Sequence, residues 1–131
     1  MLAWRDHPGR LTRTAVAYTQ DSLTRCRATF LAGGFLSRTD LYILWGYGGT
    51  GRALRRALAL HGKHPSHIVE VHPGRIGNQI HGAPVIGPEG LEEIPRRPLI
   101  ASVAGSSARS LIREALGDRG WKEGRDFVCA A

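Results

Sequence analysis

The run Leu41-Tyr42-Ile43-Leu44-Trp45 leads without a break into Gly46-Tyr47-Gly48-Gly49-Thr50-Gly51, and this junction restricts the fold more than any other stretch of the chain. Five consecutive apolar residues mark a strand covered on both faces, because a half-exposed strand would alternate. Beyond Gly51, Ala53, Leu54, Ala57, Leu58 and Leu60 fall on one broad helical face, and Gly62 ends it. The order is therefore strand, glycine turn, helix. The glycines serve different ends, since Gly46 permits a tight turn, Gly48 lets a ligand approach bare backbone, and Gly51 lets the helix lie close to the strand. The first amides of that helix would face an anion such as a phosphate.

A second strand is expected over His67 to Val71, ending in Glu70-Val71-His72-Pro73-Gly74, where proline and glycine turn the chain away. Glu70 lies 19 residues beyond Gly51, close to the ~20-residue interval of the acid that accepts hydrogen bonds from a ribose hydroxyl in dinucleotide-binding turns. A carboxylate there favours an unphosphorylated ribose. Further on, the pattern predicts a short strand within His81 to Gly87, a helix of one or two turns near Glu89 to Ile94, and a strand over Leu99 to Ala104. A helix opened by Gly105-Ser106-Ser107, with a serine as N-cap, runs to about Leu116, and Phe127-Val128-Cys129 forms a last strand. Strands alternating with helices predict an α/β fold. The expectation for residues 41–131 is a Rossmann-like three-layer domain with a parallel sheet of about five strands.

Ahead of it, residues 1–18 show no apolar periodicity and read as an extended arm. Residues 19–40 read as a linker whose helix, from about Thr19 to Leu31, turns Leu23, Cys26, Phe30 and Leu31 toward the domain.

The chain carries a formal charge of +7, with 16 arginines among its 18 basic residues. Arginine suits bidentate contact with phosphate or carboxylate, so anionic ligands are favoured. The arginines spread from Arg5 to Arg125 instead of gathering on one helix, so nucleic acid is not expected as a partner. No stretch approaches the ~20 apolar residues of a membrane span, and a cytoplasmic location is expected. Cys26 and Cys129 read as reduced packing residues. His61, His64, His67, His72 and His81 have no metal-ligand spacing. Ser106 and Ser107 either cap their helix or form a second phosphate-facing turn. No residue after Leu41 stands out as nucleophile, acid or base, so the domain reads as one that binds.

Two stretches together resemble a known family. Trp4-Arg5-Asp6-His7-Pro8-Gly9-Arg10-Leu11-Thr12-Arg13-Thr14 resembles the segment closing the catalytic domain of bacterial family 2 glycosyltransferases. Leu44 to Arg52 resembles the first turn of the Rossmann-like domain that some of them carry at the C-terminus. Gly74-Arg75-Ile76-Gly77, the His81 to Gly87 segment and Gly124 to Cys129 extend this likeness over nearly the whole chain. The second half is similar, more loosely, to the N-terminal domain of bacterial sugar acyltransferases that bind nucleotide-linked sugars.

The resemblance implies a C-terminal accessory domain, inactive alone, that binds a nucleotide or nucleotide-sugar or positions its own upstream catalytic domain. It implies a divalent metal only in the parent enzyme, with His7 helping to hold it and Arg5 and Arg10 meeting a diphosphate. Two departures stand out: His72 replaces a second carboxylate, and Tyr47 adds bulk inside the turn. The alternatives are a stand-alone NAD-type dinucleotide-binding module or oxidoreductase subunit, and a scaffold or homodimerising domain with an empty cleft. The candidate binding residues are Gly46, Tyr47, Gly48, Gly49, Thr50, Gly51, Glu70 and His72, with NAD or a nucleotide-sugar as ligand.

Overall fold

Successive side chains of a strand point to opposite faces, and β1 (Leu41–Trp45) is buried on both. Tyr42 and Leu44 join Leu54, Ala57 and Leu58 of α2 (Gly49–Ala59), while Ile43 and Trp45 join Ile112 and Leu116 of α3 (Ser106–Asp118) together with Trp121. The two clusters make the two sides of a three-layer α/β domain, as the apolar run predicts. A computed structural model, describing residues 8–130, shows this arrangement.

The remaining elements are α1 (Pro8–Gly33), β2 (His64–Val69), β3 (Gln79–Ile80), β4 (Ala83–Ile86), a 3-10 helix at Pro88–Glu93, β5 (Leu99–Ala101) and β6 (Phe127–Cys129). The sheet order is β3-β4-β2-β1-β5-β6. Among the described residues all pairs are parallel except β3 with β4, which gives the expected five parallel strands plus one short antiparallel edge. The chain leaves β1 toward β2 on one side and later returns to β5 on the other. Their carboxyl ends flank a topological switch point, where open α/β sheets form a ligand crevice.

Several boundaries differ from the sequence expectation, each for a local reason. β2 starts at His64 and stops at Val69 because it pairs with the whole of β1, from Leu41 opposite His64 to Trp45 opposite Val69. Pro65 is tolerated there since β4 reaches β2 only at Ile68 and Val69. β5 ends at Ala101 because Ser102 turns its hydroxyl onto the preceding glycine turn. β3 is too short to show periodicity, and it reaches β4 through His81 and Gly82, both at positive φ, the pattern of a two-residue hairpin. The cap of α3 is Gly105, with no side-chain hydrogen bond, so neither Ser106 nor Ser107 caps it.

The helix α1 begins at Pro8 instead of near Thr19, so the described part of the expected arm is helical. Proline suits a first helical position, where its missing N–H is not needed. Its buried side also differs. Ala28 is fully buried and Leu31 and Ala32 pack beside it, whereas Phe30 is 85% exposed and Leu23 49%. The helix lies outside the sheet against α2, so only a narrow small-residue stripe is covered, and Cys26, expected as a packing residue, is exposed. Among the described residues no helix is long and apolar enough to cross a membrane. Trp4, Arg5 and His7, the last expected as a metal ligand, lie outside them.

Candidate functional site

The glycine turn is built by long-range bonds as much as by its own glycines. Gly46 continues the β1–β2 ladder by donating from its N–H to Val69 O at 2.9 Å, at a φ of +96° that disfavours other residues. A Cβ on Gly46 would stand 2.5 Å from Val103 Cγ2, and one on Gly51 would collide with the Gly46 carbonyl and crowd Ser102 Oγ. Close approach thus requires glycine at both positions: at Gly51, where the spacing predicts it, and at Gly46, where the sequence predicts only a tight turn. Ser102 Oγ lies 2.9 Å from Gly46 O and 3.2 Å from Trp45 O, so its one proton ties β5 to the turn. Ser102 is buried, and no periodic signal in the sequence singles it out.

Gly48 and Gly49 differ in kind. Both are exposed, and a Cβ on either would meet nothing within 4 Å. Gly48 caps α2 with extended backbone, no side chain caps the helix, and its first turn has no acidic residue. Arg52 N–H is bonded to Gly48 O at 3.0 Å, so the amides ahead of it have no place in the helical ladder. They lie at the positive end of the helix dipole, beside the exposed Gly48 and Gly49, an arrangement suited to an anion. Thr50 is exposed beside them.

Tyr47 is buried, with only 5% of its surface exposed, and its ring belongs to the core cluster on the α2 side. Its hydroxyl accepts from Arg55 Nε at 3.1 Å, and the Arg52 guanidinium carbon lies 5.6 Å from the ring centroid. The bulk expected to crowd a diphosphate is folded away into the core.

Glu70 follows β2 directly. Its Oε1 accepts from Tyr47 N–H at 3.0 Å and from Arg75 Nη1 at 3.3 Å, and Arg75 Nη1 also lies 3.1 Å from Tyr47 O. The carboxylate side chain is 13% exposed and the arginine 47%. Glu70 therefore braces the turn with one oxygen, while among the described residues Oε2 has no hydrogen-bond partner. Arg75 reaches the site because its loop is pinned to β4: Gly77 N–H donates to Val85 O at 3.0 Å, and Val85 N–H to Asn78 O at 2.8 Å. His72 is exposed nearby, its Nδ1 accepting from Gly74 N–H at 3.3 Å.

These groups line an open cleft of about 590 Å³, with Trp45 and Gly46 at its base, Val103 on the β5 side, and Glu70, His72 and Arg75 on the β2 side. The structure thus brings together Gly46, Tyr47, Gly48, Glu70 and His72 as linings of one cleft, with Gly49, Thr50 and Gly51 opening the adjoining helix. Sequence spacing misses Arg75 and Ser102, whose roles depend on contacts 28 and 56 residues away along the chain.

Elsewhere, burial pushes the Tyr42 hydroxyl and the Cys129 thiol to higher pKa, so both stay protonated at neutral pH. His67 is lowered, first by burial and then by the charge of Arg97. Among the described residues no group of three or more metal-ligating side chains comes together.

No protein-family model matches this sequence, and none of the curated proteins does. The fold matches solved structures of RSP, a Rex-family repressor. The first has a TM-score of 0.54 at 19% identity over 77% of this chain and 56% of that one. RSP in complex with beta-NADH gives 0.53 at 19% over 77% and 57%, and RSP with beta-NAD+ and operator DNA gives 0.52 at 20% over 72% and 51%. The chain therefore spans just over half the length of the proteins it matches. The resemblance to glycosyltransferases and sugar acyltransferases is corrected by this finding, since the matched structures are repressor chains. One of the RSP structures holds operator DNA, so the expectation against a nucleic-acid partner finds no support in these matches. What this chain shares with these repressors is a Rossmann-like α/β fold.

Proposed function

We propose that this chain is a dinucleotide-binding module of the NAD type, holding its ligand across the carboxyl end of the sheet. The diphosphate sits on the amides that open α2, and the adenosine ribose lies beside Glu70. The observation that carries this reading is the uncapped, acid-free start of α2, where Gly48 lines the switch-point cleft and neither Gly48 nor Gly49 has a side chain to cover the backbone. Anion binding at such a terminus combines unsatisfied N–H donors with the positive end of the dipole. Of the two ligands the sequence suggests, NAD and a nucleotide-sugar, the RSP structure with beta-NADH supports NAD.

The cleft suits binding better than chemistry. Glu70 Oε1 is occupied by a backbone amide and a guanidinium, and among the described residues no nucleophile hydrogen-bonded to a base lines the walls. Trp45 at the base supplies the readout, since bound NADH quenches nearby tryptophan emission. A ligand at 100 times its dissociation constant adds about 2.7 kcal/mol of stability, which for a chain of this size raises the melting temperature by roughly 10 °C. The expected result is saturable quenching with a matching thermal shift. No change in either signal at millimolar NADH and NAD would overturn the reading in favour of an unliganded scaffold.

A further inference from the structure

A second cavity of about 480 Å³ adjoins the cleft on the far side of Arg75, lined by Tyr47, Arg52, Arg75, Asn78, Gln79 and Ile80. Its charged residues are two arginines, and its neutral polar side chains are two carboxamides and a phenol. Among the described residues no carboxylate lines it. The two cavities share Tyr47 and Arg75, so a ligand with its ribose at Glu70 has this annex as its next neighbour.

We propose that the annex takes a phosphomonoester carried on the adenosine ribose, so that this chain prefers a ribose-phosphorylated adenine nucleotide to plain NAD. The inference rests on the dinucleotide reading and names its ligand class more closely. The contest is between Glu70, which favours a free hydroxyl, and the two guanidiniums, which favour a phosphate. Three facts decide it for the phosphate. Glu70 is largely withdrawn from solvent, at 13% exposed, and its Oε1 is already bonded to Tyr47 N–H and Arg75. Arg75 stands between that carboxylate and the annex. Arg52 projects from the first turn of α2, held near the Tyr47 ring without a carboxylate partner among the described residues. A dianionic group in the annex thus meets two guanidiniums in its lining, whereas Glu70 lines only the neighbouring cleft and is already paired with Arg75 at 3.3 Å. Asn78 and Gln79 supply neutral donors for its remaining oxygens.

The same chemistry occurs on a 2′-phosphate, as in NADPH, and on a 3′-phosphate, as in coenzyme A. Titrations of the full chain with NADH, NADPH and coenzyme A, followed by calorimetry at low and moderate salt, distinguish the two sources. The expected result is that one phosphorylated ligand binds about tenfold more tightly than NADH, the worth of one charge-assisted contact, and that this advantage shrinks as salt rises. Arg52→Gln and Arg75→Gln should each bring the ratio toward unity. Arg52→Gln is the cleaner variant because Arg75 also braces the turn. Equal or tighter binding of NADH overturns the proposal and leaves the dinucleotide reading standing. A preference that survives both substitutions overturns it too, placing the phosphate elsewhere. Failure of all three ligands to bind removes the dinucleotide reading and this proposal together.

Discussion

Replacing Gly48 by aspartate pits helix stability against ligand binding at one atom position. Gly48 is the N-cap of α2, at φ −85° and ψ −160°, an extended conformation that any residue adopts, and a Cβ there meets nothing within 4 Å. Aspartate is a better N-cap than glycine by a few tenths of a kcal/mol, and its charge at the positive end of the dipole adds about 0.3–1 kcal/mol. The fold should therefore gain roughly 1 kcal/mol, or about 4 °C in melting temperature. The same carboxylate occupies the amides on which the diphosphate is placed. At ~4 Å, two unit charges repel by about 1 kcal/mol in water and about 4 kcal/mol at a protein surface, so NADH should bind at least about fivefold more weakly. Gly48→Asn separates the charge from the space filled, because it caps comparably without a charge. Thermal denaturation and NADH quenching, run on all three proteins, read both effects. A stabilised Gly48→Asp protein that binds NADH as tightly as the parent would refute the placement of the diphosphate on α2. A destabilised one would refute the geometry of the cap.

Gly51→Ala should cost about 1–3 kcal/mol in urea denaturation, because its Cβ collides with the Gly46 carbonyl and crowds Ser102 Oγ. Ser102→Ala leaves Gly46 O without its bond to Oγ at a buried site and should cost about 1–2 kcal/mol, measured the same way. Leu58→Ala removes a fully buried side chain between α2 and the sheet, and a loss of about 2–5 kcal/mol is expected. For His67 the folded pKa lies below the ordinary 6.5, so the unfolded chain binds the proton first as pH falls. Its contribution to stability is complete above about pH 6.5 and declines below that value. His67→Gln should flatten this part of the stability profile, and an unchanged slope would count against the burial of the imidazole.

The strand-turn-helix junction is legible in the sequence because each of its requirements is local. The apolar run, the spacing of Gly46, Gly48 and Gly51, and the apolar face of α2 all lie within 20 residues. The strand β6 and the helix α3 are equally plain. Glu70 is found by its interval from Gly51. The apolar stripe of α1 misleads, since Leu23, Cys26 and Phe30 have helical spacing, yet periodicity does not say which side a neighbour will cover. The family likeness misleads for a related reason: a glycine turn and its flanks recur wherever this fold does, and so they report the fold more than the function.

By itself, the sequence determined that an α/β domain would form around a glycine turn with bare backbone at its start. Hydrophobic period and glycine spacing act over a few residues and need no partner to be read. Only the tertiary structure decided what surrounds that turn. It placed β1 between β2 and β5, withdrew Tyr47 into the core, and turned Ser102 onto the Gly46 carbonyl. It brought Arg75 back onto Glu70 and the turn. Each of these depends on sheet order and on the course of a loop between elements, which arise from packing distant segments together and leave no period in the chain.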